Sequence, residues 1–234
     1  MQRRKFNHAG AGLLSLLVVA AGRQAQALSL GELTPAEAGS GLKTALEKGA
    51  LAAIALLGRP DGFLGNPKVR IGLPGYLETA SKLLKTFGQG ERIEALVMAL
   101  NRAAEAAVPL GRELLVGAVR AMNVNDAKSI LSGGDTSVTA FFADKTRLPL
   151  AVKFLPLVKQ ATDQVGLAAR YNEFAGLAAG LGLVKKEDAN IAQYVTGRTL
   201  DGLFLVIGEE ERKIRRDPLA TGSAIVQKVF GTLK

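Results

Sequence analysis

From Thr34 onward, apolar residues recur at steps of three and four, and this period confines the chain to helices. Thr34-Pro35-Ala36-Glu37 opens the pattern as a capping box. The Thr34 hydroxyl can accept a free amide of the first turn, the Glu37 carboxylate can reach back, and Pro35 at the first helical position lacks only a donor that would go unused. Leu42, Leu46, Gly49, Ala53 and Leu57 follow on one face, with Glu37, Ser40, Thr44 and Glu47 on the other. This predicts one amphipathic helix ending near Gly58. The same patterning predicts helices over residues 76–87, 91–107, 110–121, 126–131, 135–145, 150–165, 168–181, 191–216 and 218–230. Pro156 falls inside one of them and removes a backbone hydrogen bond, so a kink is expected there. Strand-like alternation is confined to Lys68-Val69-Arg70-Ile71. Gly176 and Gly180, four apart, suggest a close helix–helix contact. The expected fold is all-α: a compact multi-helix bundle of nine or ten short helices.

The residues before this pattern have the composition of an export leader. Arg3, Arg4 and Lys5 form a positive start, Ala9 to Gly22 is uncharged and apolar, and Ala25-Gln26-Ala27 has the small-x-small form of a cleavage site. Arg23 interrupts the apolar run well before the roughly 20 residues a spanning helix needs. Cleavage after Ala27 is therefore expected, with residues 1–27 as signal peptide and residues 28–234 as a single helical domain. The location implied is the periplasm. Arg3-Arg4-Lys5-Phe6 is compatible with twin-arginine export as well as with the general secretory route.

Removing that leader changes what chemistry the chain can perform. The only histidine, His8, leaves with it, and the chain has no cysteine and no tryptophan. Nucleophilic catalysis through Ser-His-Asp or Cys-His is then excluded, as are His- or Cys-ligated zinc, haem attachment and iron–sulfur clusters. No phosphate-binding glycine loop or nucleophile elbow is present either. No cofactor and no metal is expected. Arg3, Arg4, Lys5 and Arg23 also leave, so the formal charge of +9 falls to +5. Over this length that is a mild attraction to anionic surfaces and not the footprint of a nucleic-acid binder.

Residues 58–75, GRPDGFLGNPKVRIGLPG, stand out between two well-patterned helices. Connections longer than about 12–15 residues without regular structure are uncommon in compact domains and are often functional. Phe63, Leu64, Val69, Ile71 and Leu73 call for burial, whereas Asp61-Gly62 and Asn66-Pro67 are turn formers. Arg59, Lys68 and Arg70 can offer donors to an anionic group. The competing reading is an ordered loop that packs its own hydrophobes over the bundle.

Three further places carry polar chemistry. Asn101, Arg102 and Glu105 interrupt the apolar run from Leu96 to Val108 at spacings that bring their side chains together. They form either a polar patch facing a cavity or a structural Arg–Glu pair with a helping amide. The run from Glu209 to Asp217 holds favourable pairs at Glu209–Lys213 and Glu211–Arg215. It reads as a solvated helix end, with a carboxylate-held Ca²⁺ or Mg²⁺ as the alternative. Gly133-Gly134-Asp135-Thr136 leads into a helix N-terminus that either holds an anion or is capped by Asp135.

Four stretches, LSLGELTPAEAGSGLKTAL (28–46), GRPDGFLGNPKVRIGLPG (58–75), NRAAEAAVP (101–109) and DGLFLVIGEEERKIRRDPLATGSA (201–224), closely resemble the bacterial family known as domain of unknown function 4197. The resemblance covers essentially everything after residue 27. It implies an exported helical protein of Gram-negative bacteria and brings no activity, substrate or catalytic residue.

The functional expectation is a non-enzymatic binding or interaction module for a protein partner or for an apolar or anionic small-molecule ligand. Its site would be shaped by Arg59, Asp61, Phe63, Asn66, Lys68 and Arg70 on the loop and by Asn101, Arg102 and Glu105 on the following helical face. Phe63, Lys68 and Arg70 would then be replaceable together at little cost in thermal stability. Two alternatives stay open. One is a hydrolase working through carboxylates such as Asp61, Glu105 or Glu209. The other is peripheral association with an anionic membrane surface.

Overall fold

The computed structural model describes residues 29–180 and 191–233; the leader assigned to residues 1–27 lies outside them. Among the described residues there are nine α-helices, two single 3-10 turns (Leu30–Glu32 and Leu219–Thr221) and no strand. The helices are α1 (Pro35–Leu57), α2 (Gly75–Thr86), α3 (Gly90–Leu110), α4 (Arg112–Ala121), α5 (Ala127–Leu131), α6 (Ser137–Gln164), α7 (Leu167–Gly180), α8 (Ile191–Arg216) and α9 (Ala224–Gly231). No helix among these residues is long and apolar enough to cross a membrane.

The capping box forms as its chemistry dictates. The Glu37 amide donates to Thr34 Oγ1 at 3.2 Å, and the Thr34 amide donates to Glu37 Oε2 at 2.9 Å. From that start α1 buries Ala38, Leu42, Ala45, Leu46, Gly49, Ala53 and Leu57. Small residues alternate with leucines along this face, which lets neighbours come close on several sides. α1 accordingly runs through the middle of the molecule, packed by α3, α4, α5, α6, α8 and α9. The buried apolar side chains form one contiguous cluster drawn from every helix. Where α6 crosses α8, Phe142 and Phe204 meet edge to face, with ring centroids 5.7 Å apart.

Three boundaries depart from the periodicity. Residues 135–145 and 150–165 belong to one helix, α6, which continues through Pro149 and Pro156. Its inner face, Phe142, Thr146, Leu150, Phe154 and Val158, is buried along the whole length, whereas both prolines are exposed. Packing on the inside holds the helix, and water on the outside can take up the carbonyls the prolines leave unpaired. The helix expected over 218–230 is instead the turn Leu219–Thr221 followed by α9, because Gly222 adopts a left-handed conformation (φ 63°) between them. Lys68-Val69-Arg70-Ile71 is not a strand. The amides of Val69 and Arg70 both turn back to the carbonyl of Asn66, at 3.1 and 2.9 Å.

Candidate functional site

The loop over residues 58–75 and the polar triplet on α3 form one unit. Asn101 and Glu105 lie one turn apart on the side of α3 that faces the loop, and each holds one half of it. Asn101 Oδ1 accepts the Ile71 amide at 2.8 Å, and Nδ2 donates to the carbonyls of Ile71 at 2.8 Å and Val97 at 2.7 Å. The side-chain amide thus pairs with the Ile71 backbone as a neighbouring strand would. Glu105 Oε1 accepts the amides of Phe63 and Leu64, both at 3.0 Å, and Oε2 takes Arg102 Nη1 at 2.6 Å. Arg102 Nη2 continues to Asp61 Oδ1 at 2.8 Å. Glu105 first and Asp61 second raise the Arg102 pKa above its ordinary value. Asp61, at φ 62°, is the only described non-glycine residue with positive φ, and the Arg102 contact ties down its carboxylate.

This clamp lets the loop drop its apolar residues into the core. Phe63 and Ile71 are buried, and Phe63 sits against Gly202 of α8 so closely that a Cβ there would meet its ring at 2.7 Å. Phe63 is therefore a core residue and cannot be presented to a partner; replacing it together with Lys68 and Arg70 must destabilise the protein. Asn101 (0% exposed) and Glu105 (4%) are likewise buried, with their polar atoms spent on the chain itself. Asn66 accepts the Lys68 amide at 3.1 Å in a local turn. Lys68 reaches Glu209 of α8 at 2.6 Å, Arg70 reaches Glu94 of α3 at 3.5 Å, and Arg59 is exposed, with no ion pair among the described residues. Five of the nine residues, Asp61, Phe63, Asn101, Arg102 and Glu105, meet in the loop's anchorage, with Asp61 at its exposed end; Arg59, Asn66, Lys68 and Arg70 lie outside that anchorage.

The acidic run on α8 is not simply a solvated end. Glu209 and Glu210 bind Lys68 and Lys213, but Glu211 is 4% exposed and points to the start of α6. There it accepts the amides of Val138 at 3.1 Å and Thr139 at 2.7 Å, together with the Thr139 hydroxyl at 2.7 Å. Arg215 covers it and also donates to the Leu131 carbonyl and Ser137 Oγ, at 3.0 and 2.8 Å. The N-terminus of α6 is thus capped by a glutamate 72 residues further on and not by Asp135. Among the described residues no three acidic side chains gather where a cation could sit.

Beside the clamp lies an open cleft of about 710 Å³. One stripe of α3, running through Ala95, Met98, Ala106 and Pro109, forms its floor; Gly58 and Pro60 close one end, and Val165, at the turn from α6 to α7, and Arg170, in the first turn of α7, form the far wall. Met98 is half exposed there. Glu91, Glu94 and Arg102 edge it, the last already engaged by Glu105 and Asp61. None of the floor residues is marked by polar chemistry in the sequence. The available signal is that α3 is apolar on a second face beyond the one it buries.

Fold and site together define an all-helical protein with an internally clamped loop and an open apolar cleft beside it. A family model described as Protein of unknown function (DUF4197) matches residues 32–231, and the chain belongs to that family. Comparison with curated proteins and with solved structures gives no match.

Proposed function

We propose that the protein is exported to the periplasm and acts there by binding an apolar ligand in the cleft on α3. The leader-like residues 1–27 support the location, and the loss of His8 with them leaves no imidazole or thiol for nucleophilic catalysis. The observation that carries the binding reading is the cleft. Its volume of about 710 Å³ falls within the roughly 300–1,000 Å³ of pockets that enclose small molecules, and its floor is apolar. Anion recognition at this place has little support, because the Arg102 guanidinium is already shared by Glu105 and Asp61. Hydrolysis through carboxylates has less, since Glu105 is consumed by two amides and Arg102, and Glu209 by Lys68.

Titration with a neutral, environment-sensitive fluorophore such as N-phenyl-1-naphthylamine tests this reading. The wild-type protein should enhance its emission saturably. Ala106→Phe, which fills the cleft from its floor, should abolish the signal while leaving the thermal midpoint in place. Equal binding by that variant would remove the cleft from consideration. Export is tested separately: the form recovered from the periplasm should begin at Leu28.

A further inference from the structure

A second hollow, of about 160 Å³, lies between the 66–72 stretch of the loop and the outer side of α8. Lys68, Arg70 and Gly72 line it from the loop; Arg198, Asp201 and Leu205 line it from α8. It is far smaller than the cleft on α3 and shares none of its lining residues. Around it five cations share three carboxylates. Glu209 binds Lys68 at 2.6 Å, Glu94 is divided between Arg70 at 3.5 Å and Lys85 at 3.6 Å, and Asp201 is divided between Arg147 and Arg198, the latter at 3.6 Å. Charge-assisted hydrogen bonds close at about 2.7–2.9 Å, so the contacts of Arg70 and Arg198 to carboxylates are long ones, to acids that already serve another cation. The local balance is an excess of two positive charges.

The two arginines are also placed in advance. Arg198 lies over the Tyr194 ring at 5.5 Å, and the Tyr194 hydroxyl donates to the Gly72 carbonyl at 2.9 Å, so one side chain fixes both the guanidinium and the loop that carries Arg70. Lys68, Arg70 and Arg198 nevertheless keep 64%, 46% and 55% of their side-chain surface open. Planar, permanently charged guanidinium groups suit the oxygens of a phosphate, and a phosphate group carries about −1.5 to −2 at neutral pH. That matches the excess. We propose that this hollow binds a phosphate group, either free phosphate or the phosphomonoester headgroup of a lipid, between Arg70 and Arg198.

The test has two arms on the full-length mature protein: calorimetric titration with inorganic phosphate, and flotation with phosphatidylcholine vesicles with and without phosphatidate. Wild type and Arg59→Gln should bind equally in at least one arm, and which arm responds identifies the source of the phosphate. Arg70→Gln/Arg198→Gln should weaken binding about 100-fold, roughly tenfold for each charge-assisted contact removed. Arg70→Lys/Arg198→Lys should keep part of it, because charge survives and bidentate geometry does not. If the glutamine pair loses its helical circular dichroism, Arg198→Gln alone decides, with about a tenfold loss expected. No binding in either arm overturns the proposal. So does a glutamine pair within about threefold of wild type, or an equal loss in Arg59→Gln, which would indicate general surface charge.

Discussion

Glu105 meets three donors within its own chain, and removing it leaves each of them in difficulty. In Glu105→Ala the amides of Phe63 and Leu64 lose their acceptor in poorly hydrated surroundings, and Arg102 keeps only Asp61. The expected cost is about 2–4 kcal/mol, lowered from that of a fully buried pair because Arg102 is partly exposed. It should show as a lower urea midpoint with an unchanged slope. Glu105→Gln retains one acceptor oxygen and should lose roughly half as much. Lys68→Ala, which breaks a largely exposed pair, should change stability by about 0.5 kcal/mol or less. A Glu105→Ala protein no weaker than Lys68→Ala would disprove the clamp. Spacing alone singled out Asn101, Arg102 and Glu105, and length singled out the loop. That each supplies the other's missing partner was not legible, because the hydrogen bonds join residues 30 to 42 positions apart. Glu211 was hidden for the same reason: its favourable neighbour Arg215 is local, whereas the amides it caps belong to α6.

Among the elements, α6 shows best where propensity yields to packing. Pro149 sits on its exposed side, with Thr146 and Leu150 buried on the other. Because α6 runs unbroken through this position, Pro149→Ala restores an interior hydrogen bond and removes a steric conflict. The expected gain is about 1–3 kcal/mol, part of the full proline penalty being offset by the freer unfolded chain of the alanine variant. The measurement is the shift in thermal midpoint, and no gain would mean that the helix is interrupted at this point. The remaining helices were legible from periodicity because each has one dominant buried face. α1 and α8 were read to within a residue or so of their observed ends. The glycine pair was misread. Gly176 and Gly180 are exposed, and no described atom comes within 4 Å of where their Cβ atoms would lie. The close approaches occur instead at isolated glycines such as Gly202, whose meaning depends on Phe63 in a distant loop.

At the scale of the whole molecule, the first and last helices are tied through one carboxylate. Glu37 closes the α1 cap and also binds Lys228 of α9 at 2.6 Å, 191 residues away. The Lys228 hydrogen bond first, and those from Thr34 next, lower the Glu37 pKa from 4.5 to about 2. The folded state therefore binds this proton less readily than the unfolded chain. The contribution of Glu37 is complete above pH 4.5, fades as pH falls toward 2, and is gone below that. Glu37→Gln should accordingly melt lower than wild type at neutral pH, and the two proteins should converge between pH 4.5 and 2. The two causes can be separated. Salt screens the exposed Lys228 pair and leaves the Thr34 bonds in place, so Lys228→Ala should retain part of the acid-dependent difference and lose its sensitivity to ionic strength. Retention of the whole difference in Lys228→Ala would confine Glu37 to its local cap and leave α1 and α9 joined by their apolar contact alone.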